Sequence, residues 1–141
     1  MSEGESTTRD LLALNRQAIE AVAHRDFDAA MTSYGPESLW DTSALGLGTY
    51  RGGEMIRRSF EEWTAMYEDF EVEIEEQLDF GSGVILSVAR QRGRVADSSG
   101  YVEFHYAAVT LWRDGLIAQV TPFTDIDEAR AVAERLVESR G

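Results

Sequence analysis

The sequence predicts an α+β domain, with helices laid on one side of a curled, mostly antiparallel sheet. Three observations carry this. Residues 70–125 hold four strand-like runs in succession, each closed by a turn signal. The preceding half is dominated by helical periodicity. Helices first and a meander of strands second is the order expected when helices segregate to one face of an antiparallel sheet. Such a sheet can enclose a cavity.

The elements follow in order. Leu11, Leu14, Asn15, Ala18, Ile19, Val22 and Ala23 recur at helical spacing, with Ser6, Thr7 or Thr8 available as an N-cap. A short second helix is predicted from Asp26 to about Tyr34, ended by Gly35-Pro36. Ser38 to Thr42 reads as a short strand and Ala44 to Gly53 as a Gly-rich loop. Met55, Ile56, Ser59, Phe60, Trp63 and Tyr67 make a third, amphipathic helix. In the first strand of the meander, Phe70, Val72, Ile74, Leu78 and Phe80 alternate with Glu71, Glu73, Glu75, Gln77 and Asp79. Gly81-Ser82-Gly83, Asp97-Ser98-Ser99-Gly100 and Asp114-Gly115 mark the reversals. Asp125 with Glu128 opens a closing helix as in a capping box.

Composition narrows the class of function. A chain of 141 residues forms one domain, placed at residues 6–139. The absence of cysteine excludes thiol nucleophiles and cysteine metal sites, and two distant histidines give no metal-site spacing. A formal net charge of -13 repels phosphate backbones, so no nucleic-acid partner is expected. All thirteen basic residues are arginine, which reads as genome composition. No run approaches the roughly 18 apolar residues of a membrane span, and the acidic start is unlike a signal peptide. A cytoplasmic location and no cofactor are the expectations.

Five landmarks, in order, resemble a known family. They are Arg25-Asp26-Phe27-Asp28; Pro36-Glu37-Ser38-Leu39-Trp40-Asp41; Tyr50-Arg51-Gly52-Gly53; Leu111 to Ile117; and Asp125 to Ala129. Together they are similar to the SnoaL-like branch of the nuclear transport factor 2 (NTF2-like) superfamily, over about residues 8–137. The resemblance implies a cone, the cystatin-like fold: a strongly bent sheet wrapped around three helices, plus a C-terminal helix, with a pocket at the wide end. Its members include ketosteroid isomerases, polyketide cyclases and epoxide hydrolases, so fold alone does not settle function.

The catalytic positions that this resemblance implies are not matched. The isomerase tyrosine falls at Ala18, its base at Thr42 and its protonated acid at Ala108, where the cyclase histidine also falls. The cyclase last-strand aspartate falls at Pro122, and no epoxide-hydrolase Asp-Arg-Asp set assembles. Asp41 is the nearest carboxylate and the one candidate catalytic residue, but one residue of offset in a strand changes its face unless a bulge intervenes.

What remains at the pocket positions is aromatic and apolar. Strand parity places Phe104, Tyr106, Thr110 and Trp112 inward with Ala108, and Val120, Pro122 and Thr124 likewise. With Tyr34, Trp40, Trp63 and Tyr67 these make a site for a small hydrophobic or aromatic ligand. The opposite face of the 101–113 run bears His105, Ala107, Val109 and Leu111 and is apolar too, which predicts a homodimer through it. Arg90, Arg92 and Arg94 share one strand face, with Glu71, Glu73 or Glu75 as ion-pair partners. Three readings follow: a ligand-binding pocket, an isomerase- or cyclase-type enzyme working through Asp41, and a non-catalytic dimerisation module.

Overall fold

The four strand-like runs become one continuous meander in a computed structural model that describes residues 3–140. The elements are α1 (Glu3–Ala23), α2 (Phe27–Met31), β1 (Tyr34–Asp41), a 3-10 turn (Ser43–Leu45), β2 (Thr49–Arg51) and α3 (Gly53–Ala65). Then come β3 (Tyr67–Gly81), β4 (Val84–Val95), β5 (Tyr101–Arg113), β6 (Leu116–Phe123) and α4 (Ile126–Arg140). The six strands form one sheet in the order β2-β1-β6-β5-β4-β3, antiparallel except where β1 runs parallel to β6. The fold is α+β, as expected.

Turn chemistry fixes the reversals. Asp114 (φ 53°) and Gly115 (φ 81°) both lie in the left-handed region, as a two-residue hairpin twisted to match its strands requires. At Gly83 (φ 81°) the backbone nearly touches its neighbour: the Trp112 N–H donates to Gly83 O at 2.8 Å, and an added Cβ would lie 2.3 Å from Trp112 O. Only glycine fits there. Asp125 accepts the Glu128 backbone N–H at 3.1 Å, so the closing helix has the predicted cap.

Several boundaries differ from expectation. Helix α1 begins at Glu3, upstream of Ser6, Thr7 and Thr8, where the sequence placed its start. Leu14, placed on its buried stripe, is exposed. Helix α2 is capped by Asp26, whose carboxylate accepts the Ala29 N–H, and stops at Met31. Tyr34, Gly35 and Pro36 begin β1 instead, because this segment pairs with β6 (Tyr34 opposite Ile117). Pro36 falls in the irregular stretch between Tyr34 and Leu39, where a missing N–H costs no ladder bond. Part of the predicted loop is the short strand β2, opposite Leu39 to Asp41. Tyr67 opens β3 rather than closing α3, which ends at Ala65.

The largest correction concerns β3. Its alternation is broken by a bulge: Ile74 pairs with Ala89 but Glu76 pairs with Val88. An extra residue switches every later side chain to the other face. Phe70 and Val72 thus face the helices α1 and α3, whereas Leu78 and Phe80 pack on the opposite face. Gln77, written by the pattern as solvent-facing, turns inward.

The sheet therefore carries helices on both sides. On the concave side, α1, α2 and α3 contribute Val22, Ala30, Ile56 and Phe60 to one core cluster. On the convex side α4 covers Val84, Leu86, Val88, Ala107 and Val109 with Ala129 and Ala133. The apolar outer face that predicted a homodimer is thus buried by the chain's own last helix, and Ala107 is fully buried without a second copy. His105 lies beyond that helix, exposed, with Nε2 2.6 Å from Glu75 Oε1. Beside it Arg90 pairs with Glu75 (3.3 Å) and Glu103 (3.5 Å), Arg94 pairs with Asp69 and Glu68, and the Arg92 guanidinium stacks 4.1 Å from the Tyr101 ring centroid. Among the described residues no helix is long and apolar enough to cross a membrane.

Candidate functional site

Between α1, α3 and the concave face of the sheet lies a cavity of about 770 Å³. Its helix wall comes from one stripe of α1 (Ala18, Ile19, Val22) and from Phe60 and Trp63 of α3. Its sheet wall follows from strand parity: Ser87, Ala89 and Gln91 of β4, then Phe104, Tyr106, Ala108 and Thr110 of β5. The mouth is edged by Leu47, Met66 and Val102, all exposed.

The aromatic lining is ordered by edge contacts. Phe60, fully buried, meets Trp40 at 5.1 Å and Tyr34 at 5.9 Å between centroids, both edge-on. Trp63 meets Phe70 at 5.3 Å, Tyr67 lies 5.6 Å from the same ring, and Phe104 stacks on Tyr106 at 5.7 Å. Burial pushes the Tyr106 phenol up to about 12, and the Tyr34 phenol further still. Both hydroxyls therefore stay protonated at neutral pH.

Of the residues expected to line a pocket, Tyr34, Trp40, Trp63, Tyr67, Phe104, Tyr106 and Val120 do so. Trp112 does not. It lies beneath the floor, packed with Ala18, Ile85, Ala108, Ile117 and Val120. Asp41 is also absent from the lining. Its parity on β1 is opposite to that of Trp40, and its Oδ1 accepts from the Ser43 backbone N–H (3.0 Å) and the Thr49 hydroxyl (3.3 Å). The Ser43 contacts hold its carboxyl below the usual carboxylate range, so it stays ionised and is a weakened base. No bulge turns it inward. By contrast Ala18, Thr42, Ala108 and Pro122, the positions that the resemblance marks as catalytic, all line the cavity. None of the four titrates, and the Thr42 hydroxyl is already given to Gly48 O.

The polar floor was not anticipated. Asn15, 2% exposed on α1, donates from Nδ2 to Gln77 Oε1 (2.8 Å) and Ser87 Oγ (2.9 Å). Its Oδ1 accepts from Trp112 Nε1 at 3.0 Å. Gln77, brought inward by the β3 bulge, donates from Nε2 to Leu12 O at 3.2 Å. Higher on the same wall Gln91, 4% exposed, carries an Oε1 with no hydrogen-bond partner among the described residues. The available signal was polar residues at core positions: Asn15 on an apolar helix stripe, and Ser87 within Val84-Ile85-Leu86-Ser87-Val88-Ala89.

Comparison with known proteins agrees with this architecture. A family model described as SnoaL-like domain matches residues 15–120. The chain belongs to the SnoaL-like family. Among solved structures, a putative SnoaL-like polyketide cyclase from Shewanella denitrificans OS-217 is similar at 12% identity and a TM-score of 0.70, covering 89% of this chain and 96% of that one. A protein with ketosteroid isomerase-like fold from Catenulispora acidiphila DSM 44928, in complex with trimethylamine, gives 17% identity, a TM-score of 0.71 and coverages of 86% and 92%. An LEH-like epoxide hydrolase from M. tuberculosis gives 18%, 0.70, and coverages of 90% and 91%. At such identities the likeness concerns the fold alone. No protein of curated function matches the chain.

Proposed function

We propose that this SnoaL-like protein binds a hydrophobic, aromatic or polycyclic small molecule in the cavity between α1, α3 and the sheet. The observation that carries this reading is the lining itself. Trp40, Trp63, Phe70, Phe104 and Tyr106 wall a cavity of about 770 Å³, and apart from tyrosine phenols the one ionisable side chain among its described lining residues is Glu62. Glu62 is exposed. A flat apolar molecule leaving water for such a wall gains roughly 25 cal/mol for each Å² it buries.

Binding is favoured over the isomerase and cyclase chemistries. General acid–base catalysis contributes about 10²–10⁴-fold, and only when a titratable group reaches the reacting proton. Ala18, Thr42, Ala108 and Pro122 supply none, and Asp41 bonds outside the cavity to Ser43 and Thr49. The test uses N-phenylnaphthylamine, a neutral fluorophore that brightens in apolar surroundings. Saturable enhancement with the wild-type protein, abolished in an Ala108→Phe variant that still melts cooperatively, is the expected result. No saturable binding, or binding undiminished by filling the cavity at Ala108, would overturn the reading.

A further inference from the structure

The hydrogen-bond chain beneath the cavity has a fixed direction, and that direction leaves one proton without an acceptor among the described residues. Trp112 Nε1 is a donor only, so Asn15 must present its oxygen there and keep both Nδ2 protons for its other neighbours. Leu12 O at the opposite end is an acceptor only, so Gln77 must turn Nε2 toward it and Oε1 toward Asn15. Both amides are thereby pinned from the two ends, without the ambiguity that usually attends amide orientation. Ser87 Oγ is left to accept from Asn15. Its own O–H donates to none of the described residues, although Ser87 is 1% exposed and borders the cavity. A buried hydroxyl with an unspent donor costs stability unless something completes it.

We propose that Ser87 is a ligand-positioning residue: its hydroxyl donates to a hydrogen-bond acceptor, such as a carbonyl oxygen, at the buried end of a flat neutral ligand. This rests on the cavity being a binding site. Asn15 acts through Ser87, holding Oγ so that its proton points away from the floor. Ala108, directly opposite Ser87 across the β4–β5 ladder, lines the cavity with it and carries only a methyl group. The site therefore distinguishes an acceptor-bearing molecule from a hydrocarbon of the same shape.

Fluorenone and fluorene supply the test, since one carries a carbonyl where the other carries a methylene. Affinities for both are measured by quenching of tryptophan fluorescence in the wild-type protein, Ser87→Ala and Ser87→Thr. The wild type should prefer fluorenone by about fivefold to tenfold, the size of one net neutral hydrogen bond. Ser87→Ala should lose that preference, the two affinities becoming equal, while cooperative melting reports that the variant is folded. Ser87→Thr should retain the preference. Equal wild-type binding of the two ligands, or a preference that survives in Ser87→Ala, would overturn the role of Ser87 and leave cavity binding standing. Failure of the wild type to bind either ligand would overturn both.

Discussion

Replacing Asn15 with alanine should destabilise the protein far more than a polar residue on an α-helix ordinarily would. Three hydrogen bonds end on this side chain, at 2.8, 2.9 and 3.0 Å, joining α1 to β3, β4 and β5. Alanine leaves the Trp112 N–H, in a residue 3% exposed, without an acceptor. One buried unpaired group costs about 1–3 kcal/mol. Gln77 Oε1 and Ser87 Oγ lose a donor each, but Gln77 is only half-buried and Ser87 borders the cavity, so each loss falls near the lower end of that range. The sum is about 3–5 kcal/mol, or roughly 10–20 °C in Tm for a domain of this size. Urea unfolding followed by tryptophan fluorescence measures it directly. The Asn15→Asp variant sharpens the argument, because it keeps the acceptor for Trp112 and loses only the donated bonds. A carboxyl at this site has its pKa raised by burial. Its protonated form can donate to Gln77, so this variant should come closest to the wild type at low pH. The advantage is full below the ordinary Asp pKa and is lost as pH rises through the folded value. A loss below about 1 kcal/mol for Asn15→Ala, or a pH-independent loss for Asn15→Asp, would refute the network as drawn.

Three further outcomes are expected. Gly83→Ala should lower stability by at least about 2–3 kcal/mol in thermal unfolding, since its Cβ would meet Trp112 O at 2.3 Å on a backbone with φ 81°. Gln91→Met should raise Tm, the reverse of most core substitutions, because it removes a buried oxygen that has no partner among the described residues and whose desolvation costs about 1–3 kcal/mol; a fall in Tm would mean that this amide is satisfied. In the alkaline range the native state holds the Tyr106 proton up to about 12 against 10.0 for an ordinary phenol, so the folded form binds more protons and stability falls as pH rises between these values. The loss attributable to Tyr106 is roughly 2–3 kcal/mol, and denaturant unfolding of Tyr106→Phe should show a shallower decline.

The sequence by itself determined the architecture and most of the cavity wall, because both rest on local rules. Period-two patterning in the meander, Asp114-Gly115 at a hairpin and Asp125 with Glu128 at a helix start each act within a few residues. Strand parity then sufficed to put Phe104, Tyr106, Ala108 and Thr110 on one face and Asp41 on the face away from Trp40. Tertiary structure decided what depends on elements distant in the chain. The bulge at Glu75 is a matter of register against β4, and it sends Gln77 inward and Leu78 and Phe80 outward although the local pattern gives them one alternation. Where α4 docks decided whether Ala107 and Val109 needed a second copy: 15 residues of amphipathic helix carry no local mark of the face they will cover. The floor was beyond sequence for the same reason. Asn15, Gln77, Ser87 and Trp112 are separated by up to 97 positions, and a hydrogen bond between side chains leaves no trace in the composition near either partner. Only the closing of α1 over the sheet brings a donor-only indole and an acceptor-only carbonyl to the two ends of one chain, and so leaves the Ser87 proton without an acceptor among the described residues.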